Sequence, residues 1–392
     1  MTGLQLDGSK IHHHMEALAR WKRGEKIYPL LVEVSPTNGC NHACLFCAYD
    51  YIHRDNTFLN ADRLIEIYAE LRALGTKSLF YSGEGEPLLH KRIGDIMKAA
   101  AELGFDQALN TNATALKGKL MERILPHMTF VRVSLNGVTA ADYGRVHVVP
   151  ETHFEMVMTN IKAAVDLKYR LGLQTTIGVQ CVYLNQPIED LVDQARRVRD
   201  LGVDYYSIKQ FNPHPENPFA LDLPTPPADD FAPVLEVATE DFHVHGRLGL
   251  MDPASAKRPY KQSLSLPFFA EIVANGEVYT CGPHLGEKDF CYGNIHDMDF
   301  TTLWSDANRD KVEAYIRRID DLDHVCMPNC RLDGINRALV PDYDLQIYLH
   351  IPVPKAMHRI ETRGEKKTWC ENPSLLTWAS RVFETWASKH DY

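Results

Sequence analysis

The sequence predicts an α/β protein: a partial (β/α)6 barrel with parallel strands, followed by a small hairpin-plus-helix domain. Three observations carry the prediction. Strand-like and helix-like segments alternate from residue 28 to residue 211, with six strands, the cycle from which crossover units build a parallel sheet. Residues 212–227 are then rich in proline, asparagine and aspartate, the composition of a loop or boundary. Beyond them Ala270 to Thr280 reads as a hairpin turning on Asn275-Gly276, a dipeptide suited to the tight turn between paired strands. Six strands leave the barrel open, short of the closed eight-stranded form.

Residues 1–28 read as a leader with a short helix at Met15 to Lys22, and 29–227 as the barrel. The first strand, Tyr28 to Ser35, runs directly into a cysteine loop. Asn60 caps a helix that Gly75 stops, and the strand Lys77 to Ser82 follows. The cycle repeats with a helix from Arg92 to Leu103, a strand at Asp106 to Thr111 and a helix at Leu116 to Leu125. The strand Thr129 to Leu135, helix Phe154 to Leu171, strand Thr175 to Val182, helix Ile188 to Leu201 and strand Asp204 to Phe211 complete it. Glu33, Asn110, Arg132, Ser134, Gln180 and Lys209 occupy period-two positions among apolar neighbours, which places them on one face. A lumen filled for stability alone is aliphatic, so these polar groups point to a wet substrate cavity; the alternative is that they pair with one another. Residues 228–340 form the smaller domain and 341–392 a helical extension. Its amphipathic helix, Leu375 to Lys389, carries Trp378, Phe383 and Trp386, read as packing residues.

Composition narrows the class. A hydrophobic fraction of 45% and a charged fraction of 24% are those of an ordinary soluble globular chain. A net charge of -10 and a pI near 6.0 argue against nucleic acid or an anionic membrane as partner. No apolar run reaches the length of a membrane span. Nine cysteines, an odd number in a long chain without a signal pattern, favour metal ligation or free thiols in the reducing cytoplasm over disulfides.

The most informative stretch is Cys40 to Cys47, in which Cys40, Cys44 and Cys47 have the spacing C-x3-C-x2-C. Three thiolates on one tight loop can hold three irons of a [4Fe-4S] cube and leave the fourth open to a small chelating molecule. A zinc knuckle needs a fourth ligand close by, and His42 is the one candidate inside the loop.

With Gly85-Glu86-Pro87 after the second strand, Thr111-Asn112 after the third and Ser134-Leu135-Asn136 after the fourth, the chain resembles the radical S-adenosylmethionine superfamily. The resemblance implies a [4Fe-4S] cluster on Cys40, Cys44 and Cys47, with S-adenosylmethionine chelating the open iron. It implies that Phe46 lies near the adenine, that the backbone of Gly85, Glu86 and Pro87 meets the methionine amino group, and that Asn112, Ser134 and Asn136 contact the ribose and carboxylate. Arg145 is a candidate partner for that carboxylate, with a surface role as the alternative. The implied reaction is reductive cleavage to a 5′-deoxyadenosyl radical that abstracts a substrate hydrogen, the electron coming from a partner such as flavodoxin or ferredoxin.

Cys281, Cys291-Tyr292-Gly293-Asn294-Ile295, Trp304 and Cys326-x3-Cys330 resemble the auxiliary-cluster region called SPASM or its shortened form, twitch. The implied count is one auxiliary [4Fe-4S] cluster on Cys281, Cys326 and Cys330, with Cys291 or Cys370 as the fourth ligand or none. Four thiols also satisfy the arithmetic of a zinc site. Cys291 has a further expected role as a hydrogen donor to a substrate radical, and it joins Lys209 as a candidate catalytic residue. The segment Cys330 to Arg337 resembles the endings of twitch enzymes that oxidise or epimerise a carbon centre of a sugar or aminocyclitol. Two alternatives stand beside that expectation: modification of a ribosomal peptide by epimerisation, cross-link or thioether, and a non-catalytic iron-sulfur electron-transfer protein.

Overall fold

The computed structural model describes residues 8–340 apart from 53, 213, 215–222, 224–225, 249–256, 320–321 and 328–329, all within one compact unit. The expected helix at 375–389 and Cys370 lie outside the described residues.

One ten-stranded sheet organises the molecule. Its strands are β1 (Leu31–Val34), β2 (Ser78–Tyr81), β3 (Asp106–Thr111), β4 (Phe130–Ser134), β5 (Thr176–Tyr183), β6 (Tyr205–Gln210), β7 (His243–Arg247), β8 (Phe269–Ile272), β9 (Glu277–Tyr279) and β10 (Cys291–Asn294). They lie in the order β10-β9-β8-β1-β2-β3-β4-β5-β6-β7. The six expected strands are β1 to β6, all parallel. Two more parallel strands extend them: β7 beside β6 and β8 beside β1. The hairpin expected at 270–280 is β8 and β9, antiparallel, with Gly276 at φ +88° in the turn.

Helices α1 (Met15–Lys22), α2 (Ala61–Ala73), α3 (Ile93–Glu102), α4 (Gly118–Ile124), α5 (Ala140–His147), α6 (Thr152–Leu171) and α7 (Ile188–Asp200) accompany the strands. Asn60 caps α2 as its position predicts, its side chain accepting the amides of Asp62 and Arg63 at 3.0 and 3.1 Å. Alternate residues of each strand face this helical layer: Val32, Leu79, Leu109, Val131 and Val179 are buried with Leu64, Ile67, Ile96 and Ile161 in one core. No helix of the described residues is long and apolar enough to cross a membrane.

The other face of the strands lines the lumen. Register puts Glu33 beside Phe80 and Glu271, Asn110 beside Arg132, Arg132 beside Gly178, and Ser134 beside Gln180. Gln180 lies beside Ser207, and Lys209 beside Arg247. With period-two alternation, the polar strand residues singled out from the sequence therefore share one wall.

Segments after β10 are bound to the barrel by polar contacts. Arg63 of α2 donates to the carbonyls of Ile295 and Met298 at 2.6 and 3.0 Å, and Trp304 donates to that of Ile27 at 2.9 Å. The helix Arg331–Leu339 is held through Asn336, whose side chain accepts the amides of Leu264 and Ser265.

Candidate functional site

The loop after β1 is built from three sides. The end of α5 holds its backbone: Ala43 and Leu45 donate to the carbonyls of His147 and Val146 at 3.2 and 3.0 Å. Asn41 bonds to Asn112 and Thr114, both at 2.8 Å, tying the loop to the end of β3. From the end of β2, the Glu86 amide donates to the Gly39 carbonyl at 2.9 Å. This approach explains Gly85. A Cβ there would lie 2.3 Å from the Gly39 oxygen and 2.4 Å from the Thr37 oxygen. Both are backbone atoms that cannot swing aside. Gly85→Ala is expected to push the cysteine loop off its seat and to cost ~1–3 kcal/mol of stability. A thermal melt checks the stability, and iron uptake by the loop checks the displacement; an unchanged melt and full uptake contradict the prediction.

Glu86 is fully buried and saturated. Its carboxylate accepts the Thr111 hydroxyl at 2.6 Å, the Asn112 amide at 2.7 Å and the Leu88 amide at 3.1 Å. Burial raises its pKa, and these three donors oppose the rise. Glu86 is thus the side chain that locks the ends of β2 and β3 together.

Cys40, Cys44 and Cys47 are free thiols. Burial pushes Cys40 up to about 11 and holds Cys44 and Cys47 above the usual thiol range. Neighbouring thiols add to this at Cys44, where Cys47 and Cys40 both act. Protons therefore stay on the sulfurs until a metal displaces them. Side chains that reach these sulfurs include Arg54, with Nη2 2.8 Å from Cys47 Sγ, and His147, with Nδ1 3.0 Å from Cys44 Sγ; Asp50 also bonds to the Cys47 thiol. One ligand atom each from His42, Cys44 and His147 lie within 4.8 Å of one another. Burial holds the His42 pKa down to about 4 and that of His147 well below the usual value. A tight loop of three half-buried thiols, with cationic and N–H donors turned toward sulfur, fits an iron-sulfur cluster that carries net negative charge.

The expected cofactor contacts take varied positions. Phe46 packs edge-on against His147 with ring centroids 5.3 Å apart. The Asn112 side chain is engaged with Asn41 and Thr114, and Asn136 accepts the Val182 amide at 2.8 Å. Ser134 faces the lumen beside Gln180. Arg145 is exposed and pairs with Asp142 at 2.5 Å on the surface of α5.

The lumen wall is polar and largely unpaired. Buried atoms without a hydrogen-bond partner among the described residues include Glu33 Oε1, Asn110 Oδ1, Gln180 Oε1, Ser207 Oγ, His245 Nε2 and both carboxylate oxygens of Glu271. Mutual pairing, the alternative for the strand polar groups, therefore does not account for them. Buried polar groups in native proteins nearly always find partners, so this concentration on one wall marks a place for polar ligands. Glu33 does pair through its other oxygen with Arg331, whose guanidinium lies 4.5 Å from the Phe80 ring centre. Burial, with Arg247 and Arg132 nearby, pushes the Lys209 pKa down to about 8. Glu271 is the outstanding case. Burial, with Glu84 close by, pushes its pKa up to about 8, and its carboxylate, like the Tyr49 hydroxyl, lies close to Gly282.

Burial and the neighbouring thiols Cys330 and Cys326 hold Cys281 well above the usual range, and Cys326 acts likewise on Cys330. These three thiols stand together. Cys291 lies on β10 opposite Tyr279, its Sγ 3.6 Å from the Gly293 carbonyl oxygen. Arg258 organises the turn by donating to the carbonyls of Leu322, Cys326 and Met327 at 3.0–3.2 Å. Tyr260 donates to Asp333 at 2.6 Å.

Sequence reasoning missed His147, Glu271, Arg258 and Arg54. His147 lies 103 residues from Cys44, and no local pattern marks it. Glu271 was visible as a charged residue between Ala270 and Ile272 in a strand otherwise apolar, the signal already used for Glu33.

Comparison with known proteins agrees with this geometry. Residues 34–195 match the family profile described as Radical SAM superfamily. A probable GTP 3′,8-cyclase of Saccharolobus solfataricus is 26% identical over 137 residues, 35% of this chain and 44% of the relative. A tungsten-containing aldehyde ferredoxin oxidoreductase cofactor-modifying protein of Pyrococcus furiosus is 25% identical over 182 residues, 45% of this chain and 50% of the relative. The chain thus spans about half the length of the curated relatives it matches. Among solved structures, SuiB of Streptococcus suis bound to S-adenosylmethionine superposes with a TM-score of 0.62 at 18% identity, covering 83% of this chain and 76% of SuiB. Native anSMEcpe with bound AdoMet superposes with a TM-score of 0.53 at 16% identity, covering 74% and 84%. The chain carries a radical SAM domain on the partial-barrel fold, and this family uses a [4Fe-4S] cluster and S-adenosylmethionine.

Proposed function

We propose that this radical SAM enzyme acts on a small hydroxyl-rich substrate, a sugar or aminocyclitol, and oxidises or inverts one of its carbon centres. The observation that carries the proposal is the lumen wall, where Asn110, Gln180, Ser207 and Glu271 keep buried polar atoms without partners among the described residues. A substrate rich in hydroxyls supplies both donors and acceptors to such a wall, at net contributions of ~0.5–1.5 kcal/mol per hydrogen bond.

In this reading Cys40, Cys44 and Cys47 would hold the cluster, and the backbone of Gly85 to Pro87 would receive the amino end of S-adenosylmethionine. When bound, the two together supply hydrogen-atom abstraction from an unactivated C–H bond. The chain's own residues bind, orient and exclude water. Glu86 fixes the strand ends that carry the cofactor turn. Lys209 and Arg132 give the far wall positive charge, whereas Glu271 and Glu33 give the near wall acidic groups. Cys281, Cys326 and Cys330 would hold an auxiliary cluster, with a ferredoxin or flavodoxin delivering electrons. Cys291 would act as a thiol donor or as the fourth ligand.

The test uses anaerobically reconstituted protein, a reductant, S-adenosylmethionine and carbon-deuterated myo-inositol, glucose and glucosamine. Deuterium appearing in 5′-deoxyadenosine, read by mass spectrometry, is the expected result for at least one of them. Transfer from a deuterated peptide with none from any of the three polyols overturns the substrate class in favour of peptide modification.

A further inference from the structure

His147 is buried at the end of α5, with only 1% of its surface exposed. Its backbone already serves the cysteine loop by accepting the Ala43 amide at 3.2 Å. Its ring does something separate. The amide of Asn136 donates to Nε2 at 3.3 Å. A backbone N–H can only donate, so Nε2 is the unprotonated nitrogen and the ring proton sits on Nδ1. Nδ1 faces Cys44 Sγ at 3.0 Å. The bond therefore runs from Nδ1–H to sulfur. The ring is clamped in this orientation by Tyr143, with centroids 4.1 Å apart, and by the edge-on Phe46 at 5.3 Å.

We infer that His147 is a positioning residue that donates a hydrogen bond to the Cys44 sulfur and thereby raises the reduction potential of the cluster on the first cysteine loop. The inference rests on the reading that Cys44 is a cluster ligand. Its physical basis is direct. Reduction adds negative charge that spreads onto the sulfurs, and an N–H dipole aimed at one of them stabilises the reduced form more than the oxidised form. In a buried site that preference is poorly screened. The Asn136 amide is thus a third link in a relay from β4 through the imidazole to the sulfur, fixing the tautomer while leaving the metal's ligand set to thiols.

The competing arrangement is direct ligation by His147 and His42, since both rings lie within reach of the same sulfur. The experiment compares wild type, H147F and H147N in the full chain. Phenylalanine keeps the ring and removes the donor; asparagine keeps an amide N–H near the place of Nδ1–H. Each protein is reconstituted anaerobically and its iron and sulfide are counted. A redox titration is then followed by electron paramagnetic resonance, using the signal that changes on adding S-adenosylmethionine. The expected result is equal iron loading in all three and a lower midpoint in H147F. At the wild-type midpoint its reduced-to-oxidised ratio should fall roughly tenfold, equivalent to about 59 mV for a one-electron couple. H147N should restore most of the shift. An H147F midpoint equal to wild type at full iron loading overturns the inference. So does a directly bonded nitrogen coupling in the wild-type spectrum, a measurement that does not depend on any variant folding. If wild type binds iron at its auxiliary thiols but no signal responds to S-adenosylmethionine, the cluster assignment itself has failed, an outcome distinct from an unchanged potential.

Discussion

Alanine at Cys44 is expected to abolish formation of 5′-deoxyadenosine, while the chain keeps its fold and most of its stability. Cys44 is half-buried on a loop whose position is set by other groups: the α5 carbonyls, Asn112, Thr114 and the Glu86 amide. Removing one sulfur leaves those contacts intact, so circular dichroism and the melting temperature should change little, within about 1 kcal/mol. The cluster fares differently. Two thiolates cannot retain a cube that needs three, and an open iron has value only while the other irons are held. Activity should fall below detection and iron should drop by the content of one cluster. Retention of activity with alanine at this position would show that Cys44 is not a ligand.

The second large effect concerns Glu271 and is one of stability. Glu271 is wholly buried, neither carboxylate oxygen has a partner among the described residues, and burial followed by Glu84 pushes its pKa from 4.5 up to about 8. The charged and titratable groups around it are Glu84, Tyr49, Tyr51 and the Cys281 thiol. A carboxyl whose folded pKa lies above its unfolded one binds its proton more tightly when folded. No penalty exists below about pH 4.5; it grows as pH rises toward 8 and is constant above. Glu271→Gln removes the ionisation. The variant should match wild type near pH 4.5 and exceed it increasingly up to about pH 8, by an amount on the order of a few kcal/mol. Thermal melts of both proteins across this range provide the check. A stability difference independent of pH contradicts the account. A destabilising carboxyl at this place makes physical sense where a ligand uses it.

Local patterns explain what was readable in the chain beforehand. Alternation of two marks β1 to β6, and a period of 3.6 with the Asn60 cap marks α2. The thiols of the first loop sit within eight residues, so their cooperation is visible without a fold. What stayed hidden depends on distant pairing. The strand β7, His243–Arg247, is short and mostly polar, at the edge of the sheet, and shows no buried alternation. The strand β8 was recognised as one arm of a hairpin, but its parallel pairing with β1 joins Leu31 to Phe269, a contact with no local signature. That pairing is what brings Glu271 beside Glu33 and turns a hairpin residue into part of the lumen. Helix α5, eight residues long with Val148 in a left-handed conformation at φ +54°, interrupts the expected strand-to-helix step. It delivers His147 to the cysteine loop. Cys291 shows the same limit: its spacing suggests the thiol group of Cys281, but the bulged pairing of β10 with β9 that sets it opposite Tyr279 has no local signature.

These features converge on one arrangement. The first loop is seated on α5 and on the turn after β2, the strands carry a polar wall, and the thiols of Cys281, Cys326 and Cys330 stand together. The acidic groups come from β8 and β1, the basic ones from β4, β6 and β7. A substrate bearing both hydroxyl and charged groups would meet complementary partners on both sides.

The most direct test of the central claim is made on the wild-type chain. It is reconstituted with iron and sulfide without oxygen, then given dithionite and S-adenosylmethionine, and the products are separated. The account predicts methionine and 5′-deoxyadenosine in equal amounts, both dependent on reductant. Full loading with zinc in place of iron, or an iron-loaded protein that yields neither product, would contradict it.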